Sequence, residues 1–324
     1  MSGEPLLRVR DLTVEYPRLG RPALESVSLH AEAGEGLAIV GESGSGKSTA
    51  ALAVTRLLPS SAAMDASELS LEGSDLLSIS GRELRRLRAR RIGMVFQDPM
   101  GSWNPARRVG TQLLDGMRAA GLEQGARGRL IELFHRVGIE RPEQRFDDYP
   151  HQFSGGMLQR AMIAGALSTH PALLVADEPT SALDTTVQAE LLVLLDELRA
   201  STGVGLVMIS HDLGVVSRVA DRTVVLYAGR VVEQGPTSLL FEQAAHPYTL
   251  GLLASIPRFD APRKVPLRTI KVGDIASRGC RFAPRCPLAV ERCLDEIPVL
   301  RSVAGREVAC HRAEDALGGL EQTA

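Results

Sequence analysis

The segment Gly41-Glu42-Ser43-Gly44-Ser45-Gly46-Lys47-Ser48-Thr49 constrains this chain more than any other. It fits the pattern G-x-x-x-x-G-K-S/T, and its flanks give that pattern a place in a fold. Ahead of it, Leu37-Ala38-Ile39-Val40 is a short, wholly apolar run; behind it, Ala50 to Leu58 has helical spacing. Buried strand, loop and helix is the implied order. Glycines let backbone N–H groups converge without Cβ clashes, and the helix starting near Lys47 adds the favourable end of its dipole. A loop of this kind holds phosphate: Lys47 would reach the β- and γ-phosphates of a nucleotide and the Ser48 hydroxyl would bind Mg²⁺. Gly41, Ser43, Gly44, Ser45, Gly46 and Thr49 complete the expected cradle.

Leu173-Leu174-Val175-Ala176-Asp177-Glu178 supplies what such a loop needs opposite it. An apolar strand ending in two carboxylates sets Asp177 to hold the Mg²⁺ shell and Glu178 to polarise a water in line with the γ-phosphate. A carboxylate pair after a strand is by itself more often a helix cap. Ile92–Phe96 and Gly205–Ile209 read as further buried strands, and apolar strands separated by helices predict a mostly parallel sheet. Leu6 to Tyr16 and Ala23 to Leu29 alternate apolar and polar residues, as an antiparallel edge sheet would. From Pro99 to His170 only helical patterns appear, around Val109–Ala119, Arg129–Val137 and Ser154–Ser168. Arg222 to Gln234 reads as a hairpin turning at Ala228-Gly229, followed by a short helix over Thr237–Gln243.

Composition narrows the class. With 324 residues, 44% hydrophobic and 23% charged, the chain can bury one large α/β domain and a smaller appendage. No apolar stretch is long enough to span a membrane and the start lacks a signal-peptide core, so a cytosolic protein is expected. A net charge of −2 offers nucleic acid no basic face. Lysine occurs only at 47, 264 and 271, which makes its presence in the glycine loop more telling. All four cysteines, Cys280, Cys286, Cys293 and Cys310, stand in the last stretch, spaced C-x5-C-x6-C-x16-C. In a reducing compartment such a cluster reads as a metal site before a disulfide framework. Four thiolates can hold Zn²⁺ or a four-iron, four-sulfur (4Fe–4S) cluster; the tight C-x2–4-C spacing common in zinc sites is missing.

Phe153-Ser154-Gly155-Gly156-Met157-Leu158-Gln159-Arg160 opens a helix with a good serine N-cap. Lying between the glycine loop and the Asp177-Glu178 strand, it resembles the signature motif LSGGQ of ABC ATPases, with methionine in place of the usual glutamine. Gln97 matches that family's Q-loop glutamine, Ser181-Ala182-Leu183-Asp184 its D-loop, His211 its switch histidine, and Tyr16 the aromatic that stacks on adenine. The resemblance implies a P-loop NTPase (RecA-like) fold: an ABC nucleotide-binding domain over residues 1–255, with an antiparallel β subdomain and a helical subdomain at about 99–170. A small Cys-rich tail over 256–324 would follow. It implies an ATPase with Glu178, His211 and Gln97 catalytic and Mg²⁺ held by Ser48, Gln97 and Asp177. The nucleotide would be shared with a second ATPase subunit, a homologous heterodimer partner, through Ser154, Gly155, Gly156 and Asp184.

His246-Pro247-Tyr248-Thr249 and the run from Asp98-Pro99-Met100 to Asn104-Pro105 look like the oligopeptide and dipeptide importer branch. That branch implies two transmembrane permease subunits, an extracytoplasmic substrate-binding protein, a place on the cytoplasmic face of the membrane, and a 4Fe–4S cluster on Cys280, Cys286, Cys293 and Cys310. Nickel chelates, glutathione, haem or opines are alternative cargoes, since the ATPase does not choose cargo. A non-transport ABC ATPase is the rival class, although its usual second ATPase domain or long coiled coil is missing. A guanine-binding N-K-x-D motif, expected of a GTPase, is missing too.

Overall fold

The computed structural model describes residues 4–180, 185–255 and 273–318. β1 (Leu7–Glu15) and β2 (Leu24–Ala31) alternate buried and exposed positions and pair antiparallel. β3 (Gly36–Val40) is buried throughout and runs through the glycine loop into α1 (Lys47–Val54). Three short strands follow, β4 (Ala63–Asp65), β5 (Glu68–Leu71) and β6 (Ser74–Asp75). Because β1 pairs with β2, β4 and β5, and β5 with β6, these strands form an antiparallel sheet of their own and not an edge of the parallel one.

α2 (Gly81–Arg91) starts at a reciprocal capping box of Ser80 and Glu83, buries none of its residues, and leads into β7 (Ile92–Val95). A helical layer comes next: α3 (Val109–Ala119), α4 (Ala126–Arg136), α5 (Pro142–Phe146) and α6 (Gly155–Leu167). Val109, Met117, Leu130, Phe134, Phe146, Leu158 and Ile163 hold this layer together, and each such buried side chain contributes about 1.5–3 kcal/mol. The expected helical stretch therefore has its helices where periodicity put them.

The chain returns to the sheet with β8 (Leu173–Asp177), α7 (Thr185–Thr202), β9 (Gly205–Ser210), α8 (Leu213–Val219), β10 (Arg222–Tyr227) and β11 (Arg230–Pro236). The β10–β11 turn has φ of 49° at Ala228 and 89° at Gly229, the two positive values a tight hairpin turn of this hand requires. α9 (Thr237–Glu242) and α10 (Pro247–Ala254) close this part. In the tail, α11 (Arg292–Asp295), β12 (Arg301–Val303), β13 (Arg306–Val308) and α12 (Ala313–Leu317) follow.

Among the described residues the main sheet runs β12-β13-β11-β10-β3-β9-β8-β7. β10, β3, β9, β8 and β7 are mutually parallel, so Val40, Val95, Asp177 and Ser210 all end on one side. Ligands of open parallel sheets bind outside those carboxyl ends. The tail does not stand apart: β13 pairs with β11 through Glu233–Val308 and Gln234–Glu307, continuing the sheet.

Candidate functional site

At the carboxyl end of β3 the chain bends through Gly46, whose φ is 107°, and a Cβ there would stand 2.6 Å from the carbonyl oxygen of Ala23. Only glycine fits this approach. α1 begins without a side-chain cap and without acidic residues in its first turn, so no side chain of its own caps the first N–H groups, as an anion site requires. Ser45 Oγ is buried with no hydrogen-bond partner among the described residues, a polar atom placed for a ligand. The loop thus fits a phosphate chain.

Lys47 is buried to 6% exposure and its Nζ donates to the carbonyls of Gly41 at 2.8 Å and Glu42 at 3.0 Å. Burial lowers its pKa, while the carboxylates of Glu178, Asp177 and Glu42 oppose that shift. Ser48 Oγ donates to Asp177 Oδ1 at 3.1 Å, across the gap between α1 and β8. Burial raises the Asp177 carboxyl, and the neighbouring Glu178 charge adds to the rise, against the Ser48 hydrogen bond. A divalent cation between hydroxyl and carboxylate would remove that penalty.

Glu178 follows with φ of 45°, a left-handed conformation that costs a non-glycine residue about 1–2 kcal/mol. Its N–H is tied to the Ile209 carbonyl at 3.0 Å. The bend turns its carboxylate out of the sheet: Gln97 Nε2 donates to Oε2 at 3.0 Å, and His211 Nδ1 lies 3.2 Å from Oε1. Residues far apart in sequence, expected to act together, therefore meet at one carboxylate. Tyr16, at the end of β1, is half-buried and lines a cavity of about 380 Å³ with Pro17, Arg21 and Pro22.

On the other surface, Ser154 is exposed and caps α6 by accepting the Met157 N–H at 3.2 Å, which leaves its hydroxyl hydrogen for another acceptor. A Cβ added at Gly155 would meet nothing within 4 Å, so that helix end is open to close approach. Asp184, with Ser181, Ala182 and Leu183, lies outside the described residues.

The four cysteines are free thiols and come near one another: Cys280 N–H donates to the Cys293 carbonyl at 2.8 Å, and their charges couple. Burial pushes the Cys286 thiol up to about 12 and the Cys310 thiol up to about 11. Among the described residues no group of three or more His, Cys, Asp or Glu side chains is arranged to hold a metal ion.

Sequence reasoning missed three contacts on the loop. The Glu42 N–H donates to Tyr248 Oη at 2.7 Å, and the Glu42 carboxylate takes both Arg285 terminal nitrogens, at 2.9 and 2.7 Å. The Gly229 N–H of the hairpin turn donates to the Ser45 carbonyl at 2.9 Å. HPYT was visible as a segment, but no local signal told where its tyrosine would point.

Comparison with known proteins agrees with this geometry. Residues 24–181 match the ABC transporter family, and residues 232–293 match the oligopeptide/dipeptide transporter C-terminal region. The chain is 45% identical over 321 residues to the oligopeptide transport ATP-binding protein OppD of Mycobacterium tuberculosis, covering 96% of this chain but only 52%, about half, of that relative. It is 42% identical over 315 residues to the dipeptide transport ATP-binding protein DppD of Haemophilus influenzae, covering 94% of this chain and 95% of that one. Among solved structures, the dimeric MJ0796, a bacterial ABC transporter cassette, aligns with a TM-score of 0.62 at 28% identity over 71% of this chain and 98% of its own. Sequence, fold and the placing of Lys47, Asp177, Glu178, Gln97 and His211 beyond the carboxyl ends of the parallel strands agree: the chain belongs to the ABC transporter ATP-binding family, among its oligopeptide and dipeptide transport ATP-binding proteins.

Proposed function

We propose that the chain binds and hydrolyses ATP to drive import of dipeptides or oligopeptides. The observation that carries the ATPase half is the Glu178 carboxylate, turned out of the sheet and held between Gln97 and His211 beside the Lys47 loop. Lys47, Ser45 and the N–H groups at the start of α1 bind the β- and γ-phosphates. Ser48 and Asp177, with Gln97, hold Mg²⁺, which supplies charge neutralisation at the phosphates. Glu178 orients and deprotonates water, His211 steadies that carboxylate, and Tyr16 stacks on adenine, an interaction of about 1–3 kcal/mol where bases stack on aromatics in nucleic-acid binders.

The exposed Ser154 cap and the open face at Gly155, with Gly156 beside it in sequence, serve a nucleotide held by a second ATPase subunit, a homologous partner chain, with Asp184 at the same junction. The relatives are named as dipeptide and oligopeptide transport ATP-binding proteins, and a transport role needs the rest of the assembly: two permease subunits, a substrate-binding protein, and a station on the cytoplasmic face of the membrane. Among the described residues no helix is long and apolar enough to cross a membrane, so attachment would run through the permeases. Co-expression with the permeases in vesicles decides the transport half. ATP-dependent uptake of labelled dipeptide, lost with Lys47→Ala, supports it; ATPase activity that never responds to peptide and binding protein refutes it.

We also propose that the tail cysteines hold a 4Fe–4S cluster, with Zn²⁺ the alternative. Their proximity supports this, as do backbone N–H groups directed at the sulfurs of Cys280, Cys286 and Cys310, which favour the ionised ligand. Iron, sulfide and visible absorbance in anaerobically purified protein would bear it out. Stoichiometric zinc, or no metal, would overturn it.

A further inference from the structure

Glu42 is an odd residue for its place. It occupies the second position of a loop built to receive several negative charges, where a carboxylate repels the ligand. Every polar group it has is nevertheless engaged. Its carbonyl accepts from Lys47 Nζ at 3.0 Å, its N–H donates to Tyr248 Oη at 2.7 Å, and its carboxylate forms a two-point pair with Arg285. Both partners are anchored. Tyr248 is fully buried, its ring 4.7 Å from Tyr227 and 5.4 Å from Phe282. Its helix is started by His246, whose Nδ1 accepts the Tyr248 N–H at 3.0 Å. Arg285, 10% exposed, lies over the rings of Tyr227 and Phe282 and donates to Tyr227 Oη at 3.2 Å. It is the residue before Cys286.

We propose that Tyr248 and Arg285 are positioning residues of the nucleotide site, bracing the phosphate loop through Glu42 so that the C-terminal segment sets how tightly the loop takes phosphate. This rests on the ATP-binding reading. Tyr248 fixes the backbone of the loop's first turn. Arg285 cancels the Glu42 charge and, through the Glu42 carbonyl, keeps Lys47 directed across the loop. Bidentate guanidinium–carboxylate pairing suits that task because it sets orientation as well as charge.

The test uses the full chain. Arg285→Gln should weaken binding of a fluorescent ATP analogue about tenfold, the loss of one charge-assisted pair, and raise KM with kcat largely kept. Arg285→Lys should recover part of that loss. Adding Glu42→Gln to Arg285→Gln should also restore affinity, because it removes the uncompensated charge; mere structural damage would deepen instead. Tyr248→Phe keeps the buried ring and should speed hydrogen exchange across residues 41–46 without nucleotide. Unchanged binding in both Arg285→Gln and Tyr248→Phe, or a double variant weaker than Arg285→Gln alone, would overturn the proposal. Loop exchange is read without nucleotide, so wild-type rates in both variants would refute the brace even if Lys47→Ala proved the ATP reading right. Faster exchange would uphold the brace even if Lys47→Ala left binding intact and that reading failed.

Discussion

Replacing Arg306 with methionine tests how the tail is fastened. Arg306, on β13, and Glu233, on β11, are both fully buried side chains, with Nη1 3.9 Å from Oε1. Glu233 accepts the N–H groups of Ala245 at 2.7 Å and His246 at 3.1 Å, while Arg306 donates to the carbonyls of Leu239 and Gln243. Methionine keeps much of the volume but leaves a buried carboxylate without its counter-charge, which costs about 3–5 kcal/mol. At about 2.1 cal per mol per K per residue over 324 residues, that loss lowers the unfolding midpoint by about 4–7 °C. Burial already raises the Glu233 pKa, and the Arg306 charge opposes the rise, so the variant carries it higher. A carboxyl raised on folding stabilises fully below its unfolded value of about 4.3 and loses that contribution as pH climbs through the folded value. Urea unfolding should therefore show a deficit relative to wild type that is larger at pH 8 than at pH 5. Adding Glu233→Gln should recover most of it. A deficit under about 1 kcal/mol at pH 8, or no recovery in the double variant, would refute the reasoning.

Glu178→Gln should retain ATP binding while turnover falls by about 10²–10⁴, measured by phosphate release; unchanged turnover would remove Glu178 as the base. His246 is buried and held at about 3, so it stays neutral in the fold while the unfolded chain titrates near 6.5. A depressed histidine stabilises above the unfolded value and loses that contribution as pH falls toward the folded one. Stability should drop by about 2 kcal/mol between pH 7 and pH 5 on this account, and His246→Asn, which can still cap the helix, should flatten that slope in chemical denaturation. Ser154→Ala, mixed with wild-type subunits, should impair the nucleotide site of the neighbouring subunit and leave its own Lys47 loop able to bind.

Much of the site was legible because its signals are local. The apolar runs at Leu37–Val40 and Leu173–Ala176, the serine cap at Ser154 and the turn at Ala228-Gly229 each depend on neighbours within a few residues. The S-x-x-E pattern of Ser80 and Glu83 was equally available for α2 and went unused. What stayed hidden depends on distance. Arg285 and Glu42 pair across 243 positions, and no periodicity marks either one. β12 and β13 are three residues each, too short for alternation to show, and exist because β11 offers them an edge. The cysteine spacing identified a cluster, but spacing alone does not orient four thiols as ligands.

The extension of the sheet by β13 also bears on how the protein is made. β11 is complete by Pro236, whereas the strand that covers its outer side is not synthesised until Arg306–Val308. Until then its outer backbone groups face water as an unprotected edge, the kind that recruits strands from other molecules. A polypeptide released early, or cut between α10 and α11, would be prone to clump through β11 even with its glycine loop intact. β13 would thus act as an intramolecular chaperone for a strand finished some seventy positions before it.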